Sequence, residues 1–100
     1  MPFKVTYTTT RQNTEHHAFI DIHPEAYAQI EEWTHTQPGF LDHFGTWVVE
    51  NLVSERSYVF DTETNANAFI EARRQHPIQI QRKQWSTENG ITTTVSVTEV

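Results

Sequence analysis

Four basic side chains lie close together in the last third of a chain that is otherwise acidic. They are four of its seven Lys and Arg residues: Arg73, Arg74, Arg82 and Lys83. Guanidinium and ammonium groups donate hydrogen bonds to anions, and arginine does so with a planar fork that matches a carboxylate or phosphate. The chain as a whole carries a net charge of −6. The sequence therefore leaves open a local anion-binding site formed by these four residues.

Six histidines raise the question of a metal site: His16, His17, His23, His35, His43 and His76. Their spacings match none of the ligand patterns of known zinc sites, and the chain has no cysteine. We therefore predict no metal site and no cofactor. Asp42 and His43 are also unsuited to act as an acid–base pair, because neighbouring residues of a strand point to opposite faces.

Net charge and hydropathy limit the partners of the protein. A net charge of −6 disfavours binding to nucleic acid and to anionic lipid. The chain contains no apolar run long enough to cross a membrane and no signal-peptide pattern. We predict a soluble, cytoplasmic protein without a membrane or nucleic-acid partner. Its length of 100 residues suits a single domain, residues 1–100.

Two helices are predicted from apolar residues spaced three or four positions apart. The first begins at Pro24, because proline suits the first helical turn, and it ends at Pro38-Gly39. The second ends at His76-Pro77, because the residue before a proline avoids helix. Its candidate caps are Asp61, Thr62 and Thr64. The apolar stripes consist of Tyr27, Ile30 and Trp33 in the first helix, and of Ala66, Phe69, Ile70 and the stem of Arg73 in the second.

Alternation of apolar and polar residues predicts the strands. They are Phe3–Thr10, a central hairpin within Phe40–Asp61, Ile78–Trp85, and a last strand from Ile91 to Val97. Residues 11–17 are predicted to form a polar loop. Residues 18–22 form either another strand or an extension that leads into the first helix.

Asn89-Gly90 is the favoured sequence for a two-residue turn between two strands. Such a turn places Trp85 opposite Thr94 and Lys83 opposite Ser96. The order of elements is then βαββαβ followed by an extra C-terminal strand. This order is typical of the α+β ferredoxin-like fold, an antiparallel sheet with two helices on one face.

The central hairpin carries large apolar groups on both faces. Strict alternation places Phe44 and Val48 on one face and Trp47 and Val49 on the other, although Gly45 marks a bulge or a close approach. Helices can cover only one face. The other face is covered either by a partner subunit, which we favour, or by the long N-terminal segment.

The segments Gly45–Glu50, Arg56–Phe60 and 66–76 resemble the dimeric α/β-barrel superfamily, which includes antibiotic-biosynthesis monooxygenase-like proteins. The resemblance implies ferredoxin-like monomers whose sheets pack against each other across a homodimer. Oxygenases of that superfamily use an Asn, a Trp and often a His near the second helix and the sheet. Carried over to this chain, the catalytic candidates are Trp47, Asn65 or Asn67, and His76.

Two functions from different classes fit these observations. The first is a non-enzymatic, homodimeric binding or interaction module, whose ligand is a protein or a small apolar molecule. The second is a cofactorless monooxygenase or isomerase that acts on a small apolar aromatic substrate. In it, Trp33, Trp47, Tyr58, Phe60 and Phe69 line a cleft, whereas the simpler interpretation is that they fill the core. We favour binding, because no acid–base cluster emerges from the sequence.

Overall fold

The computed structural model describes residues 1–12, 23–50 and 53–100, and for residues 45–50 it describes the backbone alone. Within these residues, three helices pack on one face of a four-stranded antiparallel sheet. The elements are β1 (Phe3–Arg11), α1 (Pro24–His35), β2 (Phe40–Glu50), β3 (Val53–Phe60), α2 (Glu63–Gln75), α3 (Pro77–Glu88) and β4 (Ile91–Glu99). The predicted α+β ferredoxin-like fold is confirmed.

The sheet has the order β2-β3-β1-β4, so that β1 pairs with both β3 and β4. Along β1, Val5, Tyr7 and Thr9 are buried beneath the helices, while the residues between them are less buried. Val5 lies opposite Tyr58 of β3 and opposite Val97 of β4. The alternation predicted for the first strand is therefore confirmed, and it defines a helix-covered face and an open face of the sheet.

Helix α2 supplies the centre of the core. Ala66 and Phe69 are buried against Val5, Tyr7, Tyr58 and Phe60 of the sheet, and Trp33 of α1 packs at the edge of this cluster. The apolar stripe predicted for this helix is therefore confirmed. Arg73 continues the stripe and is itself buried.

The ends of α1 and α2 follow from local chemistry. Pro24 occupies the first turn of α1, with Glu25 beside it near the positive end of the helix dipole. Thr62 is the cap of α2, and its hydroxyl accepts a hydrogen bond from the backbone N–H of Asn65 at 3.1 Å. Helix α2 ends at Gln75, before His76 and Pro77, as predicted.

The strand predicted for Ile78–Trp85 is wrong, because these residues belong to α3. Pro77 occupies the first turn of this helix, and Nδ1 of His76 accepts a hydrogen bond from the backbone N–H of Ile78 at 3.2 Å. The dipeptide that ends α2 thus also begins α3. Gln, Arg and Lys, which fill much of the segment, favour helix over strand.

The predicted hairpin at Asn89-Gly90 is wrong for the same reason. Asn89 is the C-terminal cap of α3, and both its backbone N–H and its side-chain amide donate to the carbonyl of Trp85. Gly90 takes a φ of 67° and leads into β4. The pairs Trp85–Thr94 and Lys83–Ser96 do not form; Thr94 lies opposite Thr8 and Ser96 opposite Thr6. Strand β4 is the fourth strand of the sheet and not an extra one.

A β-bulge interrupts β2 around Gly45. Phe44 lies opposite Ser57 and Trp47 lies opposite Glu55, so that three steps on β2 match two steps on β3. Strict alternation therefore does not hold across Gly45. Phe44 shares the open face with Ser57, since the neighbours of Ser57, Arg56 and Tyr58, are buried beneath the helices.

Several predictions lie outside the described residues. They concern most of the polar loop at 11–17, the segment 18–22, residues 51–52 of the predicted hairpin, and the side chains of Trp47, Val48 and Val49. Among the described residues, no helix has the length and apolar character needed to cross a membrane.

Candidate functional site

A cavity of about 500 Å³ lies between the helices α2 and α3 and the strands β1 and β4. All four residues of the predicted anion site line it: Arg73, Arg74, Arg82 and Lys83. Tyr7 and Val95 contribute from the sheet and Ile70 contributes from α2. Among the described residues of its wall, there is no aspartate and no glutamate. The chain is acidic overall, so the basic character of this cavity is a local property.

Arg73 is the most unusual side chain of the cavity. Its exposed fraction is 1%, and its guanidinium carbon lies 4.4 Å from the ring centre of Tyr7 and 5.4 Å from that of Tyr58. Within the described part of the chain, Nε, Nη1 and Nη2 have no hydrogen-bond partner. The faces of the aromatic rings attract the positive charge of the guanidinium. Burial of charged donors without acceptors nevertheless costs about several kcal/mol of folding free energy.

Arg82 brings a second guanidinium to the same cavity. Burial lowers the pKa of Arg82 to about 10, and the nearby charge of Arg73 acts in the same direction. Arg82 therefore stays protonated at neutral pH, although its charge is less stable than in water. Burial also raises the pKa of Tyr7, against the opposing effect of Arg73, so that Tyr7 stays a neutral phenol.

Arg74 and Lys83 lie on exposed positions of α2 and α3. Arg74 is already paired, because its Nη1 lies 2.9 Å from Oε2 of Glu71. Gln79 is a further polar group of the wall, and its side-chain oxygen is buried without a hydrogen-bond partner among the described residues. As far as the described residues show, the site thus combines one buried cation without acceptors, one half-buried cation and two cations near solvent.

The cavity wall follows a helical repeat that sequence reasoning missed. Gln79, Arg82, Lys83 and Ser86 all line the cavity, at positions i, i+3, i+4 and i+7 of α3. On α2, Ile70, Arg73 and Arg74 follow the same spacing. A search for helical periodicity among polar residues would have found this stripe. The predicted strand at Ile78–Trp85 hid it, because alternation would have placed Arg82 and Lys83 on opposite faces.

The predicted aromatic cleft corresponds to the packed core. Tyr58 and Phe60 are fully buried, and neither lines the cavity. The ring of Trp33 is half-buried, with its centre 6.0 Å from that of Phe69 and 4.9 Å from that of His76. These rings hold α1 and α2 against the sheet.

The catalytic candidates taken from the resemblance do not converge on the cavity. The side chain of Asn65 donates a hydrogen bond to Asp61 at 2.8 Å, at the start of α2. His76 caps α3 and contacts Trp33. Asn67 is exposed on α2. None of these three residues lines the cavity, and the side chain of Trp47 lies outside the described residues.

A second buried polar cluster connects α1 to β3. The hydroxyl of Tyr58 donates to Oε1 of Glu31, and Nη1 of Arg56 lies 3.8 Å from the same oxygen. The guanidinium of Arg56 also covers the ring of Tyr27 at 4.0 Å. Burial raises the pKa of Tyr58 to about 12. These groups have partners within the protein, so this cluster stabilises the fold, whereas the donors of Arg73 have no partner among the residues that the structure describes.

Comparison with known proteins places the fold but not the function. No protein-family model matches the chain, and no functionally curated protein matches its sequence. Solved structures do match. One is SnoaB, a cofactor-independent oxygenase from Streptomyces nogalater, with a TM-score of 0.65 and 11% identity over 99% of this chain and 92% of that one. Another is a dimeric ferredoxin-like protein from an uncultured marine organism, with a TM-score of 0.65 and 16% identity over 99% and 94%.

A third match is a Deinococcus radiodurans protein described as a candidate antibiotic biosynthesis monooxygenase. Its TM-score is 0.61, at 12% identity over 97% of this chain and 91% of that one. These likenesses confirm the resemblance to ferredoxin-like proteins of the monooxygenase type at the level of fold. At identities this low, they assign neither an activity nor a site.

Proposed function

We propose that the protein is a homodimeric binding module that holds a small organic molecule in the cavity between α2, α3 and the sheet. The cavity itself carries this proposal. Its volume of about 500 Å³ is typical of sites for small ligands. Apolar side chains such as Ile70 and Val95 share its wall with polar ones such as Ser86, a mixture that such sites commonly show.

The titratable groups of the cavity support binding more than catalysis. Among the described residues of the wall, they are four cationic side chains and the phenol of Tyr7. Arginine donates hydrogen bonds but does not accept a proton at neutral pH. Because its pKa is raised, Tyr7 is a poor base as well. These groups can fix and orient a ligand without exchanging protons with it.

A cofactor-independent oxygenase is the second candidate function. The observation that favours it is the shared fold of SnoaB, which matches 99% of this chain. In such a reaction, the cations of the cavity would stabilise an ionised substrate while it reacts with oxygen. The fate of the bound molecule distinguishes the two functions. A binding module releases the molecule unchanged, whereas an oxygenase converts it.

Filling the cavity is expected to abolish binding of the small molecule. Ser86 lies on the cavity-facing side of α3, so Ser86→Trp places a large ring in the space that a ligand would occupy. We expect the molecule retained by the protein from its producing cell to fall by about tenfold or more, which corresponds to a loss of roughly 1.4 kcal/mol. Mass spectrometry under non-denaturing conditions measures the retained fraction.

Gln84→Trp is the matched control, because Gln84 is an exposed residue of the same helix that does not line the cavity. It is expected to leave the retained fraction unchanged. Equal retention by the two variants would refute the cavity as the site.

The extracted molecule, incubated with fresh protein in air, is expected to be recovered unchanged. Oxygen-dependent conversion would instead favour the oxygenase.

The homodimer is proposed from the open face of the sheet. Phe44 lies on this face and is 55% exposed, and nearby Leu41 is 56% exposed. A large ring left in solvent is a common anchor of protein interfaces. That a protein of the same fold is dimeric supports the same proposal. A second copy of the chain would cover the part of the sheet that the helices leave open.

Phe44→Ser is expected to weaken the dimer. Loss of a central aromatic anchor typically costs roughly 2 kcal/mol, or about a thirtyfold rise in the dissociation constant. Sedimentation of the wild type should give about twice the chain mass of 11.7 kDa. Ile80→Ser is the control, because Ile80 is 54% exposed but lies on α3, away from the open face. A monomeric wild type, or equal weakening by both variants, would rule out this interface.

A further inference from the structure

We infer that the ligand of the cavity is a small organic anion, whose acidic group is bound by Arg73 and Arg82 and whose apolar part contacts Ile70 and Val95. This inference rests on the small-molecule function proposed above, and it adds the chemical class of the ligand. The acidic group is a carboxylate, sulfonate or phosphate, which share oxygen acceptors that match the guanidinium fork.

The unsatisfied donors of Arg73 are the first reason. The side chain is 1% exposed, so solvent has little access to Nε, Nη1 and Nη2, which have no partner among the described residues. Buried polar groups in proteins are nearly always hydrogen-bonded, and exceptions require an explanation. An anion in the cavity that Arg73 lines would supply both the missing acceptors and the opposite charge.

The aromatic rings around Arg73 do not remove this requirement. Tyr7, Tyr58 and Phe69 lie 4.4, 5.4 and 6.0 Å from the guanidinium carbon. A ring attracts a cation through its π face, and this interaction leaves the N–H groups without acceptors. The rings therefore hold Arg73 in place, but they leave its N–H groups without acceptors among the described residues.

The charges of the cavity are the second reason. Arg82 approaches Arg73 closely enough for the charge of Arg73 to contribute to its lowered pKa. Two like charges in a partly desolvated space repel each other, and an anion between them converts this repulsion into two attractions. Arg74 differs, because it is exposed and forms an ion pair with Glu71. The main binding contribution is therefore assigned to Arg73 and Arg82.

The size and lining of the cavity favour an organic anion over an inorganic one. Its volume of about 500 Å³ lies within the range of sites for small organic ligands, roughly 300–1,000 Å³. Ile70, Ile91 and Val95 line the remaining space with apolar groups. Burial of an apolar ligand body against these side chains adds a favourable contribution that a bare ion lacks.

Two fluorescent dyes test the inference. Anilinonaphthalene sulfonate and phenylnaphthylamine share an aromatic skeleton, but only the first carries an acidic group. We expect the wild-type protein to bind the sulfonate dye at least about tenfold more tightly than the neutral dye. Arg73→Met should lower the affinity for the sulfonate by about 10- to 100-fold, because charge-assisted hydrogen bonds are lost. The affinity for the neutral dye should change by less than about twofold.

The control is Lys4→Gln, which removes a cation of β1 that does not line the cavity, and it should leave both affinities within about twofold. Arg73→Lys, which keeps the charge but not the fork, should bind the sulfonate with intermediate affinity. Thermal unfolding of each variant verifies its fold. If Arg73→Met does not fold, Arg82→Gln replaces it and should show the same selective loss.

Competition separates the sources of the acidic group. Benzoate should displace the sulfonate dye, whereas inorganic phosphate at equal concentration should not; displacement by phosphate alone would overturn the organic part of the inference. Equal wild-type affinities for the two dyes, or no effect of Arg73→Met on a folded protein, would overturn the anionic ligand class and leave the small-molecule function standing. If the wild type bound neither dye, this result would count against the anionic ligand class and against the small-molecule function.

Discussion

Phe69→Ala is expected to lower the free energy of unfolding by about 3–5 kcal/mol, as is typical when a buried phenylalanine is truncated. Phe69 is 2% exposed at the centre of the core. Its ring centre lies 4.8 Å from that of Phe60, 5.5 Å from that of Tyr58 and 6.0 Å from that of Trp33. These neighbours belong to two different elements, β3 and α1, so no single shift can close the cavity that alanine would leave.

The same substitution would also loosen Arg73, because the ring of Phe69 is one of those beside its guanidinium. Urea unfolding at a fixed protein concentration measures the loss, since the stability of the proposed dimer would depend on concentration. Ile80→Ala is the control, because Ile80 is 54% exposed on α3, and it should cost less than about 1 kcal/mol. A loss for Phe69→Ala as small as that of the control would show that the core is centred elsewhere.

Apolar periodicity predicted the elements whose formation it governs. Helices α1 and α2 and strand β1 each bury one regular face, and for them the predictions agree with the structure. Helix α3 is different, because none of its residues is fully buried. It is specified by Pro77 and by the cap that His76 provides, and not by an apolar stripe. A method that reads apolar spacing therefore has little to detect in this segment.

The candidate site also combines features that the sequence predicts with features that it does not. The four basic residues were evident in the sequence, but their convergence depends on α3 being a helix. Burial of Arg73 followed from its place on the apolar stripe of α2, whereas its lack of acceptors depends on tertiary packing. In the alternating pattern of the first strand, Tyr7 falls on the apolar face, and only the register of β1 with β4 shows that it also borders the cavity.

The turn between α1 and β2 supplies the second large expected effect. Gly39 has a φ of +79°, a conformation that residues with a Cβ rarely adopt. A Cβ at this position would lie 2.5 Å from Nδ2 of Asn65 and 2.9 Å from its Cβ, and it would also clash with Oδ1 of Asp61. The backbone approaches closely here because the N–H of Asp61 donates to the carbonyl of Gly39 at 2.9 Å. Gly39 thus joins the start of β2 to the start of α2.

Gly39→Ala is therefore expected to lower the free energy of unfolding by about 2–5 kcal/mol. Roughly 1–2 kcal/mol arises from the left-handed backbone and about 1–3 kcal/mol from overpacking. Gly90→Ala isolates the first contribution, because Gly90 has a φ of 67° but borders the open cavity, and it should cost only about 1–2 kcal/mol. Urea unfolding of both variants gives the comparison. Equal losses would show that Asp61 and Asn65 move aside freely, and that the close approach at Gly39 does not constrain the turn.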